Sequence, residues 1–340
     1  MEKSIIIGAG RTTCDLIEYM KRLGYEFSDH FSLCLDNDSS LWGMELCGVK
    51  IDDVEKIGNA SDTTIVISSI YERDILAQLK CLNVQGDIIS HIDYRRKLMV
   101  DYQINQYHIT HFDNLEKTGE GINELTVYTV IIGDYDCLHE VSDTDKHTKY
   151  ICFTDDRSMC SDTWEIRYVD REFDNPIIES RKYKMLPHRF IDTEYSLYID
   201  ANIQFSKSPL EYMRQYFNRG NMLLIPHPER DCIYREAAYC ILNDRDLPQR
   251  LIKQMHLYNK KDCPEHVGLF YGGMIGRCHF ENEIVTFDEE WWEHFRKYSR
   301  RDQISLGYLL WKKASEVSLA DINICNNDWF VVDSMHKKKQ

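Results

Sequence analysis

The chain has 340 residues, enough for two domains with separate cores. Its 41 basic and 56 acidic side chains leave a net charge of −15, which argues against a broad nucleic-acid-binding face. A polyanionic small ligand would have to be met by a metal or by a local basic cluster. Twelve cysteines are scattered without a Cys-x-x-Cys pair, a pattern that speaks against a zinc ribbon or redox motif and for free thiols in a reducing, cytoplasmic setting. The opening apolar run is too short for a signal peptide, and no apolar stretch reaches the roughly 18 residues of a membrane span. Lys337, Lys338 and Lys339 allow at most peripheral contact with acidic headgroups, and a solvated terminus explains them equally well.

The first hundred residues alternate strand and helix. Ser4–Ile7 reads as a strand, and Gly8-Ala9-Gly10 turns it into a helix from about Thr12 to Leu23, with Leu16, Ile17, Met20 and Leu23 on one face. Phe31–Leu35 is a second strand ending at Asp36-Asn37-Asp38. Thr63–Ser68 is a third, followed by a helix through Ile75, Leu76 and Leu79, and Asp87–Ser90 is a fourth. Such alternation predicts a parallel sheet covered by helices. A polar, glycine-containing stretch at 113–124 is the expected linker, so that one domain covers 1–112 and the next 125–330, with a basic tail at 331–340.

The pattern then restarts. Val127–Ile132 is a β-branched strand ending in Gly133-Asp134-Tyr135-Asp136, and Lys149–Phe153 runs into Thr154-Asp155-Asp156. Trp164–Val169 and Tyr195–Ile199 are further strands. Ser208-Pro209 marks a helix start, with Leu210, Met213 and Phe217 facing inward. Met222–Ile225 is a strand, Ile233–Asn243 a helix, and a last amphipathic helix from about Arg301 buries Ile304, Leu306, Leu309 and Leu310. Internal repeats are absent.

In the first domain, Gly8 and Gly10 stand where the glycines of a dinucleotide-binding turn stand, and Asp36 or Asp38 falls near the place of a ribose-binding acid. Thr13 occupies the third glycine's position. A nucleotide or sugar-nucleotide site and a tight turn that binds nothing fit these residues equally. This Rossmann-like half resembles the small domains attached to bacterial polysaccharide acyltransferases and methyltransferases, with Gly43 through Ile51 matching a recurrent glycine-containing segment of theirs. That resemblance covers about a hundred residues, and its motifs are loose.

The second domain carries more chemistry. The triplet Asp200-Ala201-Asn202 at a strand end has the form of a cation site, in which a divalent metal (Mn or Mg) neutralises a sugar diphosphate. Asn202 offers only a neutral oxygen, and a strand ending in Asp is also an ordinary turn start. Arg181, Lys182 and Lys184 form a basic stretch that reads either as a diphosphate clamp or as a solvated helix face. His227, between two prolines, is a third metal ligand, a substrate contact or a packing histidine. Gly272-Gly273 permits close backbone approach of a sugar, or marks a bulge. Trp291-Trp292 packs in the core or stacks on a sugar ring. Asp302 caps a helix, or serves as base or sugar-hydroxyl clamp, with Gln303 beside it.

Taken in order, Gly133 to Asp136, Phe153 to Asp156, Arg181 to Lys184 with Pro187-His188, Tyr198 to Asn202, Pro226-His227-Pro228 with Arg230 to Glu236, Gly272 to Arg277, and Trp291-Trp292 through Arg301-Asp302-Gln303 resemble a glycosyltransferase-like family. It was long catalogued as a domain of unknown function and occurs in plant mucilage-polysaccharide proteins and bacterial surface-polysaccharide loci. The resemblance spans about 127–312. It implies an α/β fold of GT-A type, a nucleotide-sugar donor, a glycan or lipid-linked sugar acceptor and a divalent metal. It puts Gly133 and Asp155 near the nucleotide, Lys184 near the diphosphate, Asp200 and Asn202 at the metal, and Asp302-Gln303 near the reacting sugar. Two other readings remain open at this point: an NAD(P)-dependent oxidoreductase or epimerase run by the first domain, and a non-catalytic nucleotide-sugar binder. Tyr308-x-x-x-Lys312 has the spacing an oxidoreductase pair needs, but it lies among core leucines of the last helix.

Overall fold

The computed structural model describes residues 3–58, 60–110, 119–142 and 145–333. Contacts divide the chain into two compact units, Met1–Tyr102 and Gln103–Gln340. Of the expected linker at 113–124, residues 113–118 lie outside the described residues, as do 334–340 of the basic tail; Gly119–Gly121 is a short 3-10 turn.

In the first unit, β1 (Ser4–Ile7) leads to α1 (Arg11–Arg22) and the short α2 (Phe27–His30), then to β2 (Phe31–Asp36). A hairpin of β3 (Glu45–Leu46) and β4 (Val49–Asp53) precedes β5 (Thr64–Ile67), α3 (Glu72–Cys81), β6 (Asp87–Ser90) and α4 (His91–Thr110). The sheet order is β3-β4-β2-β1-β5-β6, parallel throughout except for the β3–β4 edge. This is a Rossmann-like doubly wound sheet whose order reverses beside β1. Strand alternation explains the layering. Ile6, Cys34 and Val66 face Leu16, Ile17 and Met20 of α1, whereas Ile5, Ile7, Leu35, Ile65 and Ile67 pack with Ile75 and Leu79 of α3. Leu76, next to Ile75 in the helix expected from the sequence, is exposed.

Periodicity gave no sign of α4. Tyr94 and Leu98 pack in the first unit's core, while Gln103 and Tyr107 belong to the second unit, so no single apolar stripe runs its length.

The second unit begins with β7 (Leu125–Ile131), β8 (Thr148–Thr154), β9 (Glu165–Tyr168), α5 (Pro176–Met185), β10 (Tyr195–Ile199) and β11 (Ile203–Phe205). Then follow α6 (Pro209–Tyr216), β12 (Met222–Leu224), α7 (Ile233–Leu242), α8 (Pro248–Asn259) and β13 (Met274–Cys278). The last elements are α9 (Asn282–Lys297), α10 (Asp302–Lys313), β14 (Ser318–Leu319) and β15 (Phe330–Val332). Seven strands form one sheet in the order β14-β12-β13-β10-β7-β8-β9, and β11 pairs with β15 apart from it. Strands β10, β7, β8 and β9 are parallel, and β13 runs antiparallel to both β10 and β12. The ends of β7, β8, β10 and β12 and the start of β13 therefore meet at one edge.

Period-two alternation again feeds two cores. Tyr128, Ile151, Phe153, Tyr198 and Ile275 face one cluster with Tyr183, Trp291, Leu306 and Leu309, and Val127, Cys152, Leu197, Ile199 and Met274 face another with Leu210 and Met213. Helix α6 starts as its sequence indicates, with Ser208 Oγ accepting from the Glu211 N–H at 3.3 Å. All twelve cysteines are free thiols. Among the described residues no helix is long and apolar enough to cross a membrane.

Candidate functional site

The strand ends of the second unit open into a cavity of about 460 Å³. Gly133, Arg181, Lys184, Asp200, Asn202, Gly272, Gly273, Asp302 and Gln303 all line it. Each comes from a strand end or from a helix laid over that edge. Asp200 follows β10 and is tied to the start of β13 by its N–H, which donates to Gly273 O at 2.8 Å.

At the centre are three charges. Asp302 Oδ2 accepts from Lys184 Nζ at 2.5 Å, and Arg181 Nε lies 3.1 Å from the same oxygen, within ion-pair range but without hydrogen-bond alignment. Asp302 Oδ1 accepts from the Gln303 N–H at 3.1 Å. The side chains of Lys184 and Asp302 are only 2% and 9% exposed. The basic stretch is therefore not a solvated face: Lys184 is enclosed and Lys182 is buried against Glu172. Burial alone would raise the Asp302 carboxyl, but the charges of Lys184 and Arg181 outweigh it and hold it well below the usual carboxylate range. Burial presses the Lys184 ammonium down against the pull of Asp302.

Neighbouring groups fix this cluster. Tyr128 Oη donates to the Lys184 carbonyl at 3.1 Å, and the Lys184 ammonium sits 5.0 Å from the Tyr198 ring centroid. Trp291, fully buried, donates its indole N–H to the Asp302 carbonyl at 3.0 Å, so it braces α10 from the core and does not face a sugar. Gly272 sits close against this cluster, and a side chain there would make Lys184 and Gln303 give way. A Cβ on it would lie 3.2 Å from Lys184 Nζ and 3.3 Å from Gln303 Cγ. Gln303 spends its amide N–H₂ on Phe270 O at 2.8 Å.

Asp200 Oδ1 accepts from Tyr198 Oη at 2.6 Å. Asn202 donates Nδ2 to the Asp333 carbonyl at 2.9 Å, and its own carbonyl accepts from the Asp333 N–H at 2.8 Å. That leaves Asn202 Oδ1 buried without a hydrogen-bond partner. A carboxylate and an orphaned amide oxygen on one tight turn suit a hard divalent cation. His227 does not join them. It is not among the cavity's lining residues; its Nδ1 faces the Glu229 and Arg230 N–H groups at 3.2 Å each, and its Nε2 faces Arg230 Nη2 at 3.3 Å. Burial, Arg230 and Arg301 push it down to about 3, so the ring is neutral and serves the turn. Among the described residues no group of three His, Cys, Asp or Glu side chains could hold a metal.

Asp155 also stays off the cavity wall. Its Oδ1 accepts from the Gly133 N–H at 3.0 Å and its Oδ2 pairs with Arg171, so both oxygens are engaged in holding the loop that presents Gly133. Sequence reasoning missed three further lining residues or their role: Arg245, Arg300 and Arg301, from the α7–α8 and α9–α10 loops. The sequence marks Arg301 only as the start of the Arg301-Asp302-Gln303 segment, and nothing local links Arg245 to Arg300 and Arg301, more than fifty residues later.

The first unit has its own cavity of about 260 Å³, lined among others by Gly8, Asp36, Asn37, Asp74 and Gln78. Gly8 has φ +108, and a Cβ there would stand 2.4 Å from Ser68 O, so glycine is needed for strand packing. Thr13, in the third glycine's place, donates its hydroxyl to Gly8 O at 2.5 Å. Asp36 Oδ2 accepts the Ala9 N–H at 2.7 Å, taking a donor that a phosphate would use. Gly10 caps α1 with open space around its Cα and is not among the cavity's lining residues. Among the described residues no basic side chain lines this cavity.

The family described as "TOD1/MUCI70, glycosyltransferase-like domain" matches residues 101–336. The chain belongs to this family. Its second unit is thus a glycosyltransferase-like domain, and the whole cavity over β7, β10 and β13 falls within the matched span. No curated protein matches the chain. The Tyr308-x-x-x-Lys312 spacing has a structural explanation in this domain: the Tyr308 ring stacks on Tyr258 at 3.7 Å, and Lys312 pairs with Glu290 at 2.6 Å.

Proposed function

We propose that the glycosyltransferase-like domain is a GT-A-type glycosyltransferase that moves a sugar from a nucleotide-diphosphate donor to a glycan or lipid-linked acceptor in surface-polysaccharide synthesis. The observation that carries this reading is the cavity at the strand ends, where Asp200 and Asn202 share a wall with Arg181, Lys184 and Asp302. Ligands of open α/β sheets sit at such carboxyl ends. The polysaccharide context rests on the resemblance drawn from the sequence alone.

In the reaction the bond from the anomeric carbon to the diphosphate breaks with its electron pair leaving on the nucleoside diphosphate, a bond to the acceptor oxygen forms, and the acceptor hydroxyl's proton passes to an oxygen of the departing diphosphate. Asp155, by accepting the Gly133 N–H, holds the loop that closes over the nucleotide end. Arg181 and Lys184 face the diphosphate, where charge grows as the bond breaks. Asp200 and Asn202 would hold a divalent cation whose chemistry is to offset that same charge, with water and phosphate oxygens completing its shell, as is usual for such hard ions. Asp302 is too strongly ionised to accept a proton near neutral pH, since an effective base titrates near the working pH. We assign it to a sugar hydroxyl and to holding Lys184 and Arg181 in place.

The test is turnover of a panel of nucleotide sugars, with Mn²⁺ present and absent, by the protein and its Asp200→Ala variant. Loss of about 100-fold or more in the variant, with the melting temperature little changed, supports the reading. Unaltered turnover would remove Asp200 from the donor site.

A further inference from the structure

The cavity is electrically unlike the rest of the molecule. Five cationic side chains (Arg181, Lys184, Arg245, Arg300 and Arg301) and three acidic ones (Asp136, Asp200 and Asp302) line it, in a chain of net charge −15. Arg181 and Lys184 already converge on Asp302. The surplus sits on the three arginines.

Their arrangement is built. The Asp246 carboxylate accepts from the Arg300 N–H, which ties the α7–α8 loop to the α9–α10 loop and brings Arg245 beside Arg300 and Arg301. Arg300 is anchored by its guanidinium to Phe295 O at 2.6 Å and Arg296 O at 3.0 Å, at the end of α9. Among the described residues the ion pair of Arg301 is a distant one, to Glu236 Oε1 at 3.9 Å, while the other oxygen of Glu236 is taken by Arg230 at 2.7 Å; Arg301 also adds to the positive field on Asp302. Its Nε is buried without a hydrogen-bond partner. Arg245 is exposed and makes no ion pair among the described residues. Burial and the like charges of Arg250 and Arg296 press Arg300 down, a crowding that a bound anion would relieve.

Their position separates them from the nucleotide end. Arg301 reaches toward Glu236 of α7 and lies close enough to His227 to depress it, and His227 follows β12. Gly133 follows β7, and the sheet order β12-β13-β10-β7 puts three strand steps between them, about 14 Å at ~4.8 Å per step. The candidate cation turn at Asp200 lies between. A donor whose nucleotide rests at Gly133 and whose diphosphate lies at Asp200 leaves the arginine end for the other substrate.

We propose that Arg245, Arg300 and Arg301 form an oxyanion subsite for the acceptor, holding a phosphate or carboxylate group that the acceptor carries. The guanidinium fork matches either group, and its fixed charge would set the acceptor's reactive hydroxyl by a contact remote from the bond being made. This inference deepens the glycosyltransferase reading and rests on it.

Calorimetric titration of the full chain with glucose 1-phosphate, glucuronic acid and glucose tests it, with UDP, GDP and CDP titrated in parallel. We expect one or both anionic sugars to bind and glucose not to bind. Phosphate and carboxylate sources are told apart by which of the two binds. Arg245→Gln, an exposed position that leaves the fold intact, should weaken the anionic sugar about tenfold, as should Arg301→Gln, while the best nucleoside diphosphate shifts less than about twofold. The proposal is overturned if neither anionic sugar binds, if Arg245→Gln leaves its affinity unchanged, or if the nucleotide loses as much as the sugar, which would give the arginines to the donor. Absence of nucleoside diphosphate binding in the unaltered protein would instead sink the donor reading, and the arginine effect on the anionic sugars would still be read separately.

Discussion

Each unit of the molecule carries a cavity at the carboxyl ends of parallel strands, and the two differ in the charge they present. The first unit's cavity has Asp36 and Asp74 on its wall, no base among the described residues, and its turn N–H already taken by Asp36. The second unit's cavity is larger and carries two more cations than acids. Related topology thus yields one site hostile to a phosphate and one suited to it. The lesson is that a strand-turn-glycine pattern reports backbone geometry, while the ligand is chosen by side chains that other segments deliver.

The largest effect should come from breaking the charged centre of the second cavity. Lys184→Met leaves Asp302 buried with Arg181 alone and should cost about 3–5 kcal/mol in denaturant unfolding. Lys184→Met with Asp302→Leu removes both charges and should recover much of that stability while turnover stays lost. If the double variant is no more stable than the single one, Lys184 and Asp302 are not the coupled pair that their 2.5 Å contact indicates.

A smaller effect tests the contrast itself. A nucleoside diphosphate at about 100 times its Kd should stabilise the full chain by about 2.7 kcal/mol. NAD⁺ at millimolar concentration should leave the melting temperature where it was, because in the dinucleotide-like turn of the first unit the Ala9 N–H is already bound by Asp36. Two nucleotide equivalents per chain by calorimetry would break the comparison and restore the first cavity as a ligand site.

These contrasts were only partly legible in the sequence. Strand and helix alternation was strong enough to reveal both sheets, because β-branched runs such as Val127–Ile131 and capped helices such as the one after Ser208 carry their own signals. Asp200 stood out because a strand ends in it. What stayed hidden has physical causes. Helix α5 looked like a solvated basic face, since nothing local shows that Asp302, more than a hundred residues later, would neutralise Arg181 and Lys184. Strand β13 is short and begins beside two glycines, so Gly272-Gly273 read as a bulge or a sugar contact without its strand. His227 had the chemistry of a ligand, but in the turn between its prolines Nδ1 meets the Glu229 and Arg230 N–H groups and Nε2 the Arg230 guanidinium. Arg245 and Arg300 carry no motif at all; a loop-to-loop hydrogen bond from Arg300 to Asp246 is what brings them together.

The smallest effect concerns two buried acids of the second unit that titrate in opposite directions. Asp302 has two cations on one oxygen and is depressed. Its contribution to stability is present above its unfolded value of about 3.9 and is lost only as pH falls toward its folded value. Asp288 faces a single fully buried cation, Arg277, whose Nε lies 3.2 Å away. Burial outweighs that one charge and raises Asp288 to about 7. Between about pH 4 and 7 the folded chain therefore keeps a proton that the unfolded chain has released. Stability from this group is full below the unfolded value and declines as pH rises through 7, with a slope of at most about 1.4 kcal/mol per pH unit. His227 and His279, pushed down to about 3 and about 4, work the other way and add stability as pH rises to about 6.5. The test is therefore a difference. In chemical denaturation from pH 5 to 8, Asp288→Asn should gain stability relative to the unaltered protein as pH rises, by at most about 1.4 kcal/mol per pH unit, whatever its effect on absolute stability. A slope unchanged in that variant would mean that Arg277 holds Asp288 ionised, as Lys184 and Arg181 together hold Asp302. One buried cation would then suffice where the geometry of the two pairs says that two are needed.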